Sequence, residues 1–106
     1  MMFTRLYIGE DDELGRSSFR DTLIALSESE LVPRTLVFWN NAVQVCVEGD
    51  QLLSIVNKIE RLGVRVLVAG HALDKLGLKP EMRAGKLANH FDLLEAISQV
   101  QKVVTF

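Results

Sequence analysis

The chain has 106 residues, of which 48% are hydrophobic and 25% are charged, a composition typical of one compact soluble domain spanning residues 1–106. Its 12 basic and 14 acidic residues give a formal charge of −2 and are interspersed, which argues against a nucleic-acid or membrane partner. The single cysteine, Cys46, excludes an internal disulfide and the metal sites that need paired cysteines.

No stretch has the character of a targeting or membrane segment. The apolar start at Phe3 is soon followed by Arg5 and Glu10, so it is too short for a signal peptide. No run approaches the roughly 20 apolar residues that a helix needs to span a bilayer. We therefore expect a cytoplasmic protein.

Short apolar runs rich in β-branched or aromatic residues predict buried strands. In chain order they are Phe3 to Ile8, Thr35 to Trp39, Val64 to Ala69 and Val103 to Phe106.

Three helical patterns lie between these runs, with apolar residues spaced three and four apart. They comprise Phe19, Leu23 and Leu26; then Leu52, Ile55, Val56 and Ile59; and finally Leu93, Ile97 and Val100. Gly63 is predicted to end the second helix, because the residue that follows a helix often adopts the left-handed backbone conformation, which glycine allows. Strands and helices in alternation predict right-handed crossovers and a mainly parallel sheet covered on both faces, which is a three-layer α/β/α sandwich.

The third predicted strand ends in a turn of small residues that carries a histidine and an aspartate, Ala69-Gly70-His71-Ala72-Leu73-Asp74. This turn resembles that of the DsrE-like family, and most closely the C-terminal domain of YedF-type selenium-metabolism proteins. Sulfur-handling members often read Cys-Gly-x-Cys-Leu-Asp here, so both cysteine positions are alanine in this chain. The resemblance extends from about residue 6 to residue 106 and includes Gly9-Glu10, Leu14-Gly15, Glu48-Gly49, Gly70, Gly85 and Asn89.

The resemblance implies a DsrE-like fold whose sheet has about five strands, with a short strand at Gly85 to Ala88 and a last helix beginning at Asn89 or His90. It also implies a link to sulfur or selenium metabolism, a homo-oligomer (dimer, trimer or hexamer) and a possible sulfur-relay protein partner. Because the family cysteines are replaced, it argues against an enzyme. No cofactor is expected.

A ligand site is expected at the carboxyl ends of the strands, where loops and helix N-termini of parallel α/β sheets converge. This rule selects polar residues that follow the predicted strands and needs no motif. The candidate ligand-binding residues are Glu10, Asn40, Asn41, His71, Asp74, Asn89 and His90.

Other chemistry remains open for the same residues. The acidic loop Gly9 to Glu13 could coordinate Mg²⁺, or its acids could simply favour the N-terminus of the first helix. Asp74 could orient the His71 imidazole, or could cap the turn beside an exposed histidine. A metal held by His71 and His90 lacks an obvious third ligand, so no metal site is assigned.

The resemblance, with its cysteines replaced, favours a noncatalytic protein that binds a partner or small ligand. The alternative is a sulfur-transferring protein that uses Cys46. A thiol ahead of the second helix could be activated as a persulfide carrier or sulfurtransferase site, with His71 as a proton partner. Its neighbours Val45 and Val47 instead favour a small buried residue. The carrier hypothesis requires an accessible thiol of low pKa, whereas the binding hypothesis does not.

Overall fold

A computed structural model of the chain describes residues 1–99 and 103–106, which form an α/β fold. The strands are β1 (Met2–Phe3), β2 (Thr35–Phe38), β3 (Arg65–Ala69) and β4 (Lys86–Ala88). The α-helices are α1 (Glu13–Glu28), α2 (Leu53–Arg61), α3 (Gly70–Leu76) and α4 (His90–Ser98). Two 3₁₀-helices, Asn40–Cys46 and Lys79–Glu81, precede α2 and β4.

The sheet is parallel and its strands follow sequence order, β1-β2-β3-β4. On the outer side of β1, the Met2 amide donates to Val104 O and the Phe106 amide donates to Met2 O, both at 2.8 Å. The predicted strand Val103 to Phe106 therefore contributes an isolated parallel bridge, Met2 to Thr105, beside β1. The short strand predicted from the resemblance at Gly85 to Ala88 is confirmed as β4.

The connections distribute the helices over both faces of the sheet. The three crossovers from β1 to β4 each move one place in the same direction, so right-handed connections put α1, α2 and α3 on one face. The last connection leaves β4, passes through α4 and ends in the C-terminal segment beside β1. It therefore crosses the sheet in the opposite direction, which puts α4 on the other face. α1 packs against α2, and α4 contacts β3 and β4. The three-layer α/β/α sandwich predicted from the sequence is confirmed.

The aromatic centre of the core is Phe3, which has no exposed surface. Its ring stacks on Phe38 at 5.8 Å and on Phe106 at 5.2 Å between centroids, and meets Phe19 edge-on at 5.3 Å. One residue thus joins β1, β2, α1 and the C-terminal segment.

The prediction that the first strand runs from Phe3 to Ile8 is wrong, because β1 ends at Phe3. Its neighbour β2 ends at Phe38, directly opposite Phe3. Beyond the Thr4 amide, which donates to Phe106 O at 2.9 Å, the residues that follow leave the sheet. They turn instead toward α1, where the Ile8 amide donates to Gly15 O at 3.0 Å. A Cβ at Gly15 would overlap the Glu10 carbonyl oxygen, so this turn depends on glycine.

The predicted helices are confirmed where the structure describes them. Phe19, Leu23 and Leu26 are buried on α1, and Leu93 is buried on α4. Gly63 follows α2 with φ +95°, as expected for a helix-ending glycine. Val100, predicted for the last helix, lies outside the described residues. Among residues 1–99 and 103–106, no helix has both the length and the apolar character to cross a membrane.

Candidate functional site

The turn after β3 sets the first wall of the site. Gly70 opens α3 immediately after Ala69, and a Cβ at Gly70 would lie 3.3 Å from Leu87 Cδ1, so the small residue lets α3 approach β4 closely. In α3, Ala72 and Leu73 face the core, whereas His71 and Asp74 are exposed. His71 and Asp74 thus lie on the same short helix, three residues apart.

The turn after β4 sets the second wall. The Asp92 amide donates to Asn89 Oδ1 at 2.9 Å and the Asn89 amide donates to Asp92 Oδ2 at 3.0 Å, which forms a reciprocal capping box. This box fixes the start of α4 at His90, as predicted.

Together the two turns enclose an open pocket of about 360 Å³ at the carboxyl ends of β3 and β4. The His71 and His90 rings lie 5.4 Å apart at an angle of 61°. His90 also meets the edge of Trp39, which follows β2, at 5.6 Å. The lining residues with polar side chains are His71, Asp74, Lys79, Asn89, His90 and Asp92.

The pocket contains some, but not all, of the residues predicted from the sequence. His71, Asp74, Asn89 and His90 come together. Glu10, Asn40 and Asn41 are exposed and do not line this pocket, since the loop after β1 turns toward α1 and the two asparagines begin a 3₁₀-helix. A role for these seven residues in ligand binding stays a prediction.

Two polar lining residues were missed by the sequence analysis. Asp92 could have been found from its place three residues after Asn89, since that spacing is typical of a capping box. Lys79 gave no local signal. Its ammonium nitrogen lies 3.6 Å from Asp74 Oδ2, in an exposed ion pair formed where the chain turns from α3 into the second 3₁₀-helix.

Several polar groups of the pocket are already engaged with one another. Asp92 and the Asn89 Oδ1 atom are engaged in the cap and Asp74 is paired with Lys79, which leaves the two imidazoles and the Asn89 Nδ2 group as the main polar groups for a ligand. No cysteine, serine or threonine lines the pocket. Within residues 1–99 and 103–106, no three acidic, histidine or cysteine side chains are grouped to hold a metal ion. Such a surface can bind a polar ligand through imidazole and amide hydrogen bonds.

No family model matches the chain, and no curated protein matches it. Among solved structures, the crystal structure of the YchN protein from E. coli is similar, with a TM-score of 0.69 and 19% sequence identity. The likeness covers 99% of this chain and 96% of YchN. The two chains share a fold. YchN has the DsrE-like fold, so the fold implied by the turn at Gly70 is confirmed.

Within this YchN-like fold, Cys46 is buried and lies outside the pocket that His71 and His90 line, here called the histidine pocket. It ends the first 3₁₀-helix, has no exposed surface and does not line the pocket. Burial raises the pKa of the Cys46 thiol, and the nearby carboxylates of Glu60 and Asp50 raise it further. A persulfide carrier needs an accessible thiolate, so this conformation disfavours Cys46 as a reactive site, with or without His71 as a proton partner.

The raised pKa of Cys46 predicts a loss of stability in alkali. The unfolded thiol ionises near its ordinary pKa of 9.0, while the folded thiol stays protonated. Its contribution to the free energy of unfolding is therefore complete below pH 9.0 and is lost as pH rises above it, at about 1.4 kcal/mol per pH unit. Urea unfolding between neutral pH and about pH 10.5 measures this slope.

Cys46→Ala is the control, because it removes the thiol and leaves every other ionisable side chain in place. The variant should lose stability more slowly with pH than the parent chain. Equal slopes would contradict a protonated, buried thiol.

Proposed function

We propose that this chain is a DsrE-like protein that binds a small polar ligand in the histidine pocket and performs no sulfur transfer. The observation that carries the proposal is the combination of an open pocket at the strand ends with alanine at positions 69 and 72, in the turn that supplies Gly70 and His71 to the pocket. These are the two positions at which sulfur-handling members of the family carry cysteine. They are only 1% and 7% exposed, so alanine serves packing there.

The exposed apolar side chains beside the pocket support self-association. Phe91 is 82% exposed, Leu94 62% and Leu87 46%, and all three belong to β4 or α4. Large apolar side chains grouped in this way are typical of protein–protein contacts. We propose that the chain forms a homo-oligomer in the cytoplasm and that a sulfur-relay protein is its partner.

The metabolic setting rests on the turn sequence. The frame Ala69 to Asp74 resembles the YedF-type turn with its cysteines replaced, and this supports a role in sulfur or selenium metabolism. In such a role the protein would bind a metabolite or a relay protein without carrying the sulfur atom itself.

The proposal predicts that the native protein accepts no sulfur from a persulfide donor. Intact mass spectrometry after exposure to glutathione persulfide should leave the parent chain unmodified, because its only thiol is buried. Native mass spectra of the same sample should contain an oligomer. Reducible addition of one sulfur atom to the parent chain, absent in Cys46→Ser, would refute the proposal and establish the carrier alternative.

An exposed thiol is the matched positive control for that experiment. Ala25→Cys, made in the Cys46→Ser background, puts a cysteine at an exposed position of α1. We expect this variant to take up a reducible sulfur atom under conditions that leave the parent chain unmodified, because its thiol is accessible.

A further inference from the structure

A second pocket, of about 310 Å³, lies between α1 and the segment that leads into α2. It shares no residue with the histidine pocket. Its main lining residues are Arg16, Phe19, Arg20, Val45, Asp50 and Leu52. Its volume is within the range of sites that hold small organic molecules.

The inner wall of this pocket, here called the arginine pocket, is apolar. Phe19 and Val45 are almost fully buried, and Leu6 and Leu52 are half-buried beside them. Apolar surface of this kind gains from contact with the hydrocarbon part of a ligand.

Its rim carries two arginines from neighbouring turns of α1. The Arg16 Nε donates to Asp11 Oδ1 at 2.7 Å, but its two terminal nitrogens make no hydrogen bond within residues 1–99 and 103–106. The Arg20 Nε is 3.6 Å from Asp21 Oδ1, beyond hydrogen-bond distance. Arg16 and Arg20 are four residues apart on the helix, where like charges repel each other. An anion between them would relieve this repulsion.

The only acidic side chain in the lining is Asp50. Its Oδ1 accepts a hydrogen bond from the Leu52 amide at 2.8 Å, so it is committed in part to the turn before α2. Asp11 and Asp21, which pair with Arg16 and Arg20, lie outside the lining, so the pocket presents two guanidinium groups and one carboxylate to a ligand. The terminal N–H groups of the guanidiniums suit a ligand that carries a carboxylate.

We propose that the arginine pocket binds a small organic monoanion, a carboxylate attached to an apolar body. The unpaired guanidinium nitrogens of Arg16 and Arg20 bind the carboxylate oxygens, since the planar guanidinium matches that geometry. The body of the ligand lies against Phe19 and Leu52. This site does not depend on the function proposed for the histidine pocket, so the result of either test leaves the other proposal unchanged.

The test uses phenylpropionate as the probe and amide NMR spectra of the whole chain as the readout. We expect saturable shifts at low millimolar concentration, centred on Arg20, Gln51 and Leu52. Phenylpropanol, which has the same body without the charge, should bind at least about tenfold more weakly, because it forms no charge-assisted hydrogen bonds.

Variants assign the effect to the two arginines. Arg20→Gln, which leaves the Arg16 to Asp11 bond intact, should weaken phenylpropionate binding by about tenfold, and Arg16→Gln with Arg20→Gln should weaken it further. The matched control is Arg61→Gln with Arg65→Gln, which removes the same charge from exposed sites outside the pocket and should leave affinity unchanged. Equal affinity for phenylpropanol, shifts centred on His71 and His90, or no saturable shift would overturn the proposal.

Discussion

Replacing Phe3 with alanine should lower the free energy of unfolding by about 3–5 kcal/mol, the range for a large aromatic side chain removed from a packed core. Phe3 has no exposed surface and contacts the rings of Phe19, Phe38 and Phe106. The side chain therefore joins α1, β2 and the C-terminal segment to a strand of only two residues. Urea unfolding monitored by the fluorescence of Trp39, the single tryptophan, measures the loss.

Phe91→Ala is the matched control for this prediction, because the same side chain is 82% exposed at the start of α4. In dilute monomeric samples it should change the free energy of unfolding by less than about 0.5 kcal/mol. A loss at Phe3 no larger than the loss at Phe91 would mean that the aromatic cluster does not hold β1 in the sheet.

Gly85→Ala should destabilise the fold by about 2–4 kcal/mol, the sum of a steric and a conformational penalty. An added Cβ would lie 2.7 Å from Val68 Cγ2 and 2.9 Å from Val66 Cγ1 in the central strand β3. The backbone at Gly85 also has φ +78°, which residues with a Cβ rarely adopt. Because Gly85 leads into β4, the substitution should also disturb the wall of the histidine pocket formed by Asn89 and His90. Chemical unfolding, together with the amide NMR shifts of those two residues, tests both effects.

Gly77→Ala separates the two penalties at Gly85. Gly77 has φ +70° at the end of α3, but no atom lies within 4 Å of an added Cβ there. Its substitution should therefore cost only about 1 kcal/mol. If Gly77→Ala and Gly85→Ala cost the same, close packing against β3 would not be the reason that glycine stands at position 85.

Local sequence determined most of the elements, because their signals act over a few residues. The apolar runs that became β2 and β3 are continuous, since strands buried on both faces need apolar side chains throughout. Gly63 and Asn89 marked helix boundaries through backbone conformation and capping, which are properties of the residue itself. The pairing of His71 with His90 followed from one topological rule, that the carboxyl ends of neighbouring parallel strands meet.

The tertiary structure alone decided where those elements stop and which side chains share a pocket. β1 pairs with β2 only as far as Phe3, and a residue's own propensity carries no information about where its partner strand ends. Cys46 became inaccessible through burial in the hydrophobic core. The arginine pocket joins α1 to the segment before α2, residues 16 to 20 with residues 50 to 52, and only packing brings them together. Elements follow from short-range preferences, whereas sites depend on long-range contacts that no local window of sequence contains.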